Sequence, residues 1–244
     1  MFELTRDHVY VAKQSRVEDF SFDQQVVGVF DDMVTRSVPF YDEIQRMVAE
    51  LAAQFATPDS SVYDLGCSTG TTLLRLHPVL APNIHFLGID SSQEMIDRCR
   101  ENFRSQALLR SHELYRSDLN NGIEIENASV VLMLLTLQFI RPFYRDKLLN
   151  DICSGLNENG CLILAEKVIG EDSLLNRLYI NYYYDLKRRN GYSETEIAQK
   201  REALENVLVP YKLLENREAL LRAGFRYVDV FFKWYNFCAM VAVK

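Results

Sequence analysis

Between residues 61 and 165, short apolar runs that stop at Gly, Asp or Ser alternate with segments of helical period, and few folds accommodate that order. Ser61-Val62-Tyr63-Asp64-Leu65-Gly66 predicts a strand, and Gly70 with the helical Thr71 to Leu76 follows it. Strand, glycine-containing turn and helix form the first half of a βαβ unit. Ile84 to Ile89 predicts a second strand, ended by Asp90-Ser91-Ser92, with Ser92 as the N-cap of a helix carrying Met95, Ile96 and Cys99. A third strand at about Glu113 to Ser117 stops at Asp118, and Ala128 to Leu135 is a nearly continuous apolar run. A helix over Arg145 to Leu156 then leads through Asn157-Glu158-Asn159-Gly160 to a fifth strand, Cys161 to Ala165. Uninterrupted apolar runs suit strands covered on both faces. The alternation therefore predicts an α/β protein with a doubly wound, mostly parallel sheet.

Residues 1–57 read as an N-terminal arm and helices. Residues 1–20 lack periodicity, and Phe22 to Thr35 predicts one amphipathic helix through Val26, Val27, Val29, Phe30 and Met33. Ser37-Val38-Pro39 breaks it, and Tyr41 to Phe55 predicts another, with Ile44, Met47, Val48, Leu51 and Ala52 on one face. Residues 170–210 read as a helical insertion or lid, two helices split by Asn190-Gly191-Tyr192-Ser193, where Ser193 and Glu196 have capping-box spacing. Leu214 to Ala223 predicts a helix, and Phe225 to Trp234 with Asn236 to Val243 an antiparallel hairpin at the sheet edge. The whole chain, 1–244, is expected to be a single Rossmann-like domain.

Composition narrows the partners. Formal charge is −7, the wrong sign for a chain that must neutralise many phosphates, so direct nucleic-acid binding is not expected and a small molecule is. The five cysteines lack Cys-x-x-Cys spacing, which supports neither a disulfide framework nor a metal site. No stretch reads as a signal peptide or membrane span, and a cytoplasmic location is expected. The four histidines (His8, His77, His85, His112) occupy positions that suggest no catalytic role.

The strongest local signal is Val62-Tyr63-Asp64-Leu65-Gly66-Cys67-Ser68-Thr69-Gly70. Glycine at a strand end lets the backbone turn sharply while the next helix directs free N–H groups at a ligand. The dinucleotide spacing G-x-G-x-x-G is absent. The segment resembles motif I of class I S-adenosylmethionine (SAM) dependent methyltransferases, D-x-G-x-G-x-G, with Ser68 in place of the middle glycine; a Gly-containing turn of another doubly wound domain is the alternative. Asp90, 24 residues after Gly66, sits near the spacing of a ribose-binding acid, or caps a helix. Asp118 falls where such enzymes hold the adenine amino group.

Four further segments, Thr35-Arg36-Ser37-Val38-Pro39-Phe40-Tyr41, Thr136-Leu137-Gln138-Phe139, Lys187 to Glu194 and Gln199 to Val207, closely resemble the carboxy-S-adenosyl-L-methionine synthase family from about Phe20 to the C-terminus. The resemblance implies SAM as substrate or carboxy-SAM as ligand, no metal, prephenate as carboxyl donor, a homodimer, and a product used by a separate enzyme to make 5-carboxymethoxyuridine in tRNA. It places Tyr41, Gly66, Cys67, Ser68, Asp90, Ser91, Asp118, Leu119, Leu134 and Arg201 at SAM or its carboxylated product, with Arg201 and Tyr41 as the catalytic pair. A guanidinium near a sulfonium is repulsive, by about 4 kcal/mol at ~4 Å and an effective dielectric of ~20, unless an anion lies between them. The carboxylate of the product is such an anion. Without the resemblance, Arg201 reads as a solvated residue of Lys200-Arg201-Glu202, and Tyr41 as a packed tyrosine. Ser91 and Leu134 stand where the family usually carries asparagine. An ordinary SAM-dependent methyltransferase acting on a small acceptor and a non-catalytic SAM-binding protein are the competing readings.

Overall fold

The structure, a computed structural model, describes residues 5–244. Seven strands, β1 (Ser61–Leu65), β2 (His85–Asp90), β3 (His112–Arg116), β4 (Ala128–Leu134), β5 (Leu156–Lys167), β6 (Tyr227–Trp234) and β7 (Phe237–Val243), form one sheet in the order β3-β2-β1-β4-β5-β7-β6. The first five are mutually parallel; β7 runs antiparallel to β5, and β6 to β7. The expected doubly wound sheet with an antiparallel C-terminal hairpin is borne out. Strand order reverses at β1 and β4, so the connections leaving their carboxyl ends diverge and open a crevice there.

The apolar run of β4 is explained by two cores. Val131 and Met133 pack with Leu148, Ile152 and Leu220 on one face of the sheet, and Val130 and Leu132 with Val48, Leu73 and Ile96 on the other. Helices α3 (Tyr41–Phe55), α4 (Thr71–Leu76) and α5 (Gln93–Ser105) supply the second face. The first is supplied by α6 (Pro142–Gly155) and α9 (Leu213–Arg222). Ser92 caps α5 as expected, accepting the Met95 N–H at 3.1 Å.

Three boundaries differ from expectation. The segment Phe22 to Thr35 is two helices, α1 (Gln24–Val27) and α2 (Phe30–Ser37), because Gly28, a poor helix former, stands at the end of α1. Helix α6 starts at Pro142, which tolerates the first turn because its missing N–H would have no partner there. Strand β5 begins at Leu156, not Cys161. Ala128 pairs with Leu156, Asn157 to Gly160 bulge with Asn159 at φ +62°, and pairing resumes at Val130 and Cys161.

The insertion consists of α7 (Ser173–Arg189) and α8 (Glu194–Leu204), and the Ser193–Glu196 capping box is formed. The arm lies on α8: Phe20 N–H donates to Ala203 O at 2.9 Å, and Gln199 Nε2 donates to Tyr10 O and Ala12 O. All five cysteines are buried and free. Among the described residues no helix is long and apolar enough to cross a membrane.

Candidate functional site

At the carboxyl ends of β1 to β5, beneath the arm and the α7–α8 insertion, lies a cavity of about 250 Å³. Its floor is the turn after β1. Gly66 has φ +86°, and a Cβ there would run into the Thr136 side chain at the end of β4, so both backbone and space demand glycine. Ser68, the residue at the middle-glycine position, is also left-handed at φ +49°. The Cys67 thiol is pushed up by its contact with Cys99 and by burial, which disfavours the thiolate a nucleophile needs.

Two carboxylates meet beside this turn. Asp90, at the end of β2, accepts the Ser68 N–H at 3.0 Å on one oxygen and the Ser92 N–H at 2.9 Å on the other. Burial raises its pKa, opposed by those N–H groups. Asp90 thus braces the turn while keeping lone pairs toward the cavity. Asp64, on β1, is 2% exposed, and its Oδ2 has no hydrogen-bond partner. Burial, with the neighbouring Asp90 charge, pushes its carboxyl up to about 7. Such an acceptor needs a donor, and a ligand carrying an ammonium group supplies one. The α-ammonium of SAM has that chemistry, and the ribose hydroxyls suit Asp90, so the residues present fit SAM as a ligand.

Of the ten residues singled out from the sequence, the structure brings nine to this cavity: Tyr41, Gly66, Cys67, Ser68, Asp90, Ser91, Asp118, Leu119 and Leu134. Tyr41 is held by Gln45 Nε2, which donates to its hydroxyl at 3.1 Å; burial, with Asp31 nearby, raises its pKa. Asp118 lies at the mouth, accepting from Asn120 N–H at 2.9 Å. Arg201 is exposed on α8 and does not line the cavity of its own chain; the preceding residue, Lys200, does.

Other lining groups were not singled out from the sequence. Phe20 and Phe22 of the arm roof the cavity, with Phe22 edge-on to Phe30 and Phe139 at 6.1 and 5.4 Å. Ser92 Oγ ties the arm down by donating to Phe22 O at 2.7 Å. Gln138 and Glu166 shape the β4 loop: Glu166 accepts the Leu137 and Gln138 N–H groups, both at 2.9 Å. Lys167 and Tyr183 complete the wall away from the β1 turn. Asp64 is the acid of motif I, and Lys167 ends a parallel strand, so both carried a signal that strand-end reading can find.

A mostly parallel α/β sheet with a C-terminal antiparallel hairpin, whose first three strands deliver a glycine turn and two acids to one cavity, defines a class I methyltransferase fold. A methyltransferase-domain family profile matches residues 62–160. Solved structures agree on the fold. An O-methyltransferase family protein from Burkholderia thailandensis superposes with a TM-score of 0.67 at 16% identity, covering 91% of this chain and 60% of that one. A SAM-dependent methyltransferase from Aquifex aeolicus gives 0.61 at 17% identity, covering 91% and 99%. Curated relatives carry the name carboxy-S-adenosyl-L-methionine synthase. That of Methylococcus capsulatus is 59% identical over 99% of this chain and 100% of its own, and that of Campylobacter fetus 43% over 98% and 100%. The chain belongs to the carboxy-S-adenosyl-L-methionine synthase family, a family of enzymes.

Proposed function

We propose that this enzyme transfers the ring carboxyl of prephenate to the S-methyl carbon of SAM, giving carboxy-SAM, phenylpyruvate and water. A carbon–carbon bond forms at the methyl group as the ring releases its carboxyl. The electrons of the broken bond aromatise the ring as its hydroxyl departs, and the hydroxyl leaves with a methyl proton as water. The observation that carries the reading is full-length identity of 59% to a relative named for this product. The cavity agrees with it: the acid of β1 suits the ammonium of SAM, and those that end β2 and β3 suit its nucleoside.

The product supplies carboxymethylation of a tRNA wobble uridine by another enzyme, in the cytoplasm, without tRNA binding by this chain. Arg201 holds the transferred carboxylate from a second copy of the chain in a homodimer. The support is its exposure in the single chain, one helical step from the cavity-lining Lys200. Mass spectrometry of the nucleoside product after incubation with SAM and prephenate tests the reaction. A gain of one CO2 on SAM is expected; methylation of an added acceptor with no such gain would move the reading to an ordinary methyltransferase.

A further inference from the structure

The wall of the cavity away from the β1 turn is cationic. Lys167 at the end of β5 and Lys200 on α8 both line it, with Ser37 and Tyr183 between elements. Lys187 on α7 stands behind them: its Nζ and that of Lys167 each lie 4.9 Å from the centre of the Tyr183 ring. Lys200 Nζ donates to Ser37 Oγ at 3.3 Å and lies 5.6 Å from the Tyr192 ring. Lys187 and Lys200 are 4% and 6% exposed. Among the described residues, the one carboxylate within ion-pair distance of these three amines is Asp7, 3.8 Å from Lys200 Nζ. Asp7 is already engaged by the Tyr192 hydroxyl at 2.7 Å.

Two buried amines and a half-buried third facing one carboxylate is an arrangement that water-poor surroundings penalise, and an incoming anion relieves it. The strain is visible in all three: burial lowers Lys167 and Lys200 to about 8, and burial with the charges of Lys200 and Lys167 lowers Lys187 well below its ordinary value. The aromatic rings offset only part of that cost. SAM does not relieve it at the reacting end, because the sulfonium adds another positive charge.

We propose that Lys167 and Lys200, backed by Lys187, form the subsite for the carboxylate that the co-substrate keeps through the reaction. This rests on the carboxyl-transfer reading for the identity of the donor. A donor with a single carboxylate would surrender its only anchor on transfer, whereas a second carboxylate stays on the lysines while the first moves. The keto-acid product retains that group, and it therefore competes with the donor for the same place.

Phenylpyruvate and its methyl-ketone counterpart, benzyl methyl ketone, test this on the full chain saturated with SAM. Calorimetry is expected to show phenylpyruvate binding at least about tenfold more tightly than the ketone. Lys167→Met and Lys200→Met are each expected to raise the Kd of phenylpyruvate and the KM for prephenate about tenfold or more. SAM affinity is expected to stay within about twofold, and kcat to change far less than KM, with Lys→Arg recovering part of the loss. Equal binding of ketone and keto acid by the unsubstituted protein overturns the proposal, and this comparison decides it even where a variant does not fold. Equal loss of SAM and phenylpyruvate affinity also overturns it, since the lysines would then hold the carboxylate of SAM. If no carboxy-SAM forms but phenylpyruvate behaves as expected, the subsite stands and the transfer reading falls. If carboxy-SAM forms while both substitutions leave KM unchanged, the subsite falls and the transfer reading stands.

Discussion

Lowering the pH below 7 titrates the one cavity carboxylate, among the described residues, that lacks a partner of its own. Asp64 has a pKa of about 7 in the unliganded protein, raised by burial and by Asp90. An ammonium group in the cavity pairs with the ionised form only, so SAM binding must displace the proton. From that pKa the ionised fraction is about 0.76 at pH 7.5 and about 0.09 at pH 6, and SAM affinity falls about eightfold between them, or ~1.2 kcal/mol. At pH 6 about 0.9 proton leaves per SAM bound, which calorimetry in buffers of different ionisation enthalpy measures directly. Asp64→Asn should abolish both the slope and the proton release. Its affinity at pH 7.5 should lie about 10- to 100-fold below that of the unsubstituted protein, the range for a lost charge-assisted hydrogen bond. The linkage has a second consequence of opposite sign. A carboxyl raised from 3.8 to about 7 by folding contributes stability that is fully present below pH 3.8 and is lost as pH rises from there through about 7. The ceiling on that loss is about 4 kcal/mol. Unliganded Asp64→Asn should therefore be the more stable protein at pH 8, and SAM should close the gap. A flat SAM affinity from pH 6 to 7.5 with no proton released would refute the assignment of Asp64 to the ammonium.

Asp90→Asn places an amide N–H2 against either the Ser68 or the Ser92 N–H and should weaken SAM binding about 10- to 100-fold, read by equilibrium titration. Ser68→Gly relieves a left-handed serine and should raise the melting temperature by about 1–4 °C, read by calorimetry; a fall would mean that the serine side chain contributes more than its backbone costs. Gly66→Ala should reduce SAM affinity at least about tenfold, and adding Thr136→Ala should recover part of it because the blocking side chain is then shortened. Arg201→Ala should leave SAM affinity within about twofold while weakening carboxy-SAM more than about tenfold; equal losses for both ligands would remove Arg201 from the product carboxylate.

How far the sequence revealed this molecule depended on whether each residue's partners lie nearby in the chain or follow a hydropathic period. β4 was legible because both faces are buried, and burial on both faces leaves a continuous apolar run. Asp90 and Asp118 were legible because a parallel sheet brings the ends of its strands to one crevice. The arm was not. Phe20 is held by a backbone bond to Ala203 and Phe22 by Ser92, contacts that no local periodicity encodes. The same limit explains why Lys200-Arg201-Glu202 read as a wet helix face. The buried stripe of α8 is Glu196, Ile197, Gln199, Lys200 and Ala203, regular in phase but mostly polar in composition. A hydropathy pattern is blind to such a stripe, because what it faces is a cavity, the arm and other polar groups. Lys200 follows Glu196 by four residues and precedes Ala203 by three, so the phase was present where the hydrophobicity was not. Polar residues in the buried phase of a lid helix are costly to keep unless the surface they meet is itself a site, and the charge they carry then indicates the sign of what enters it.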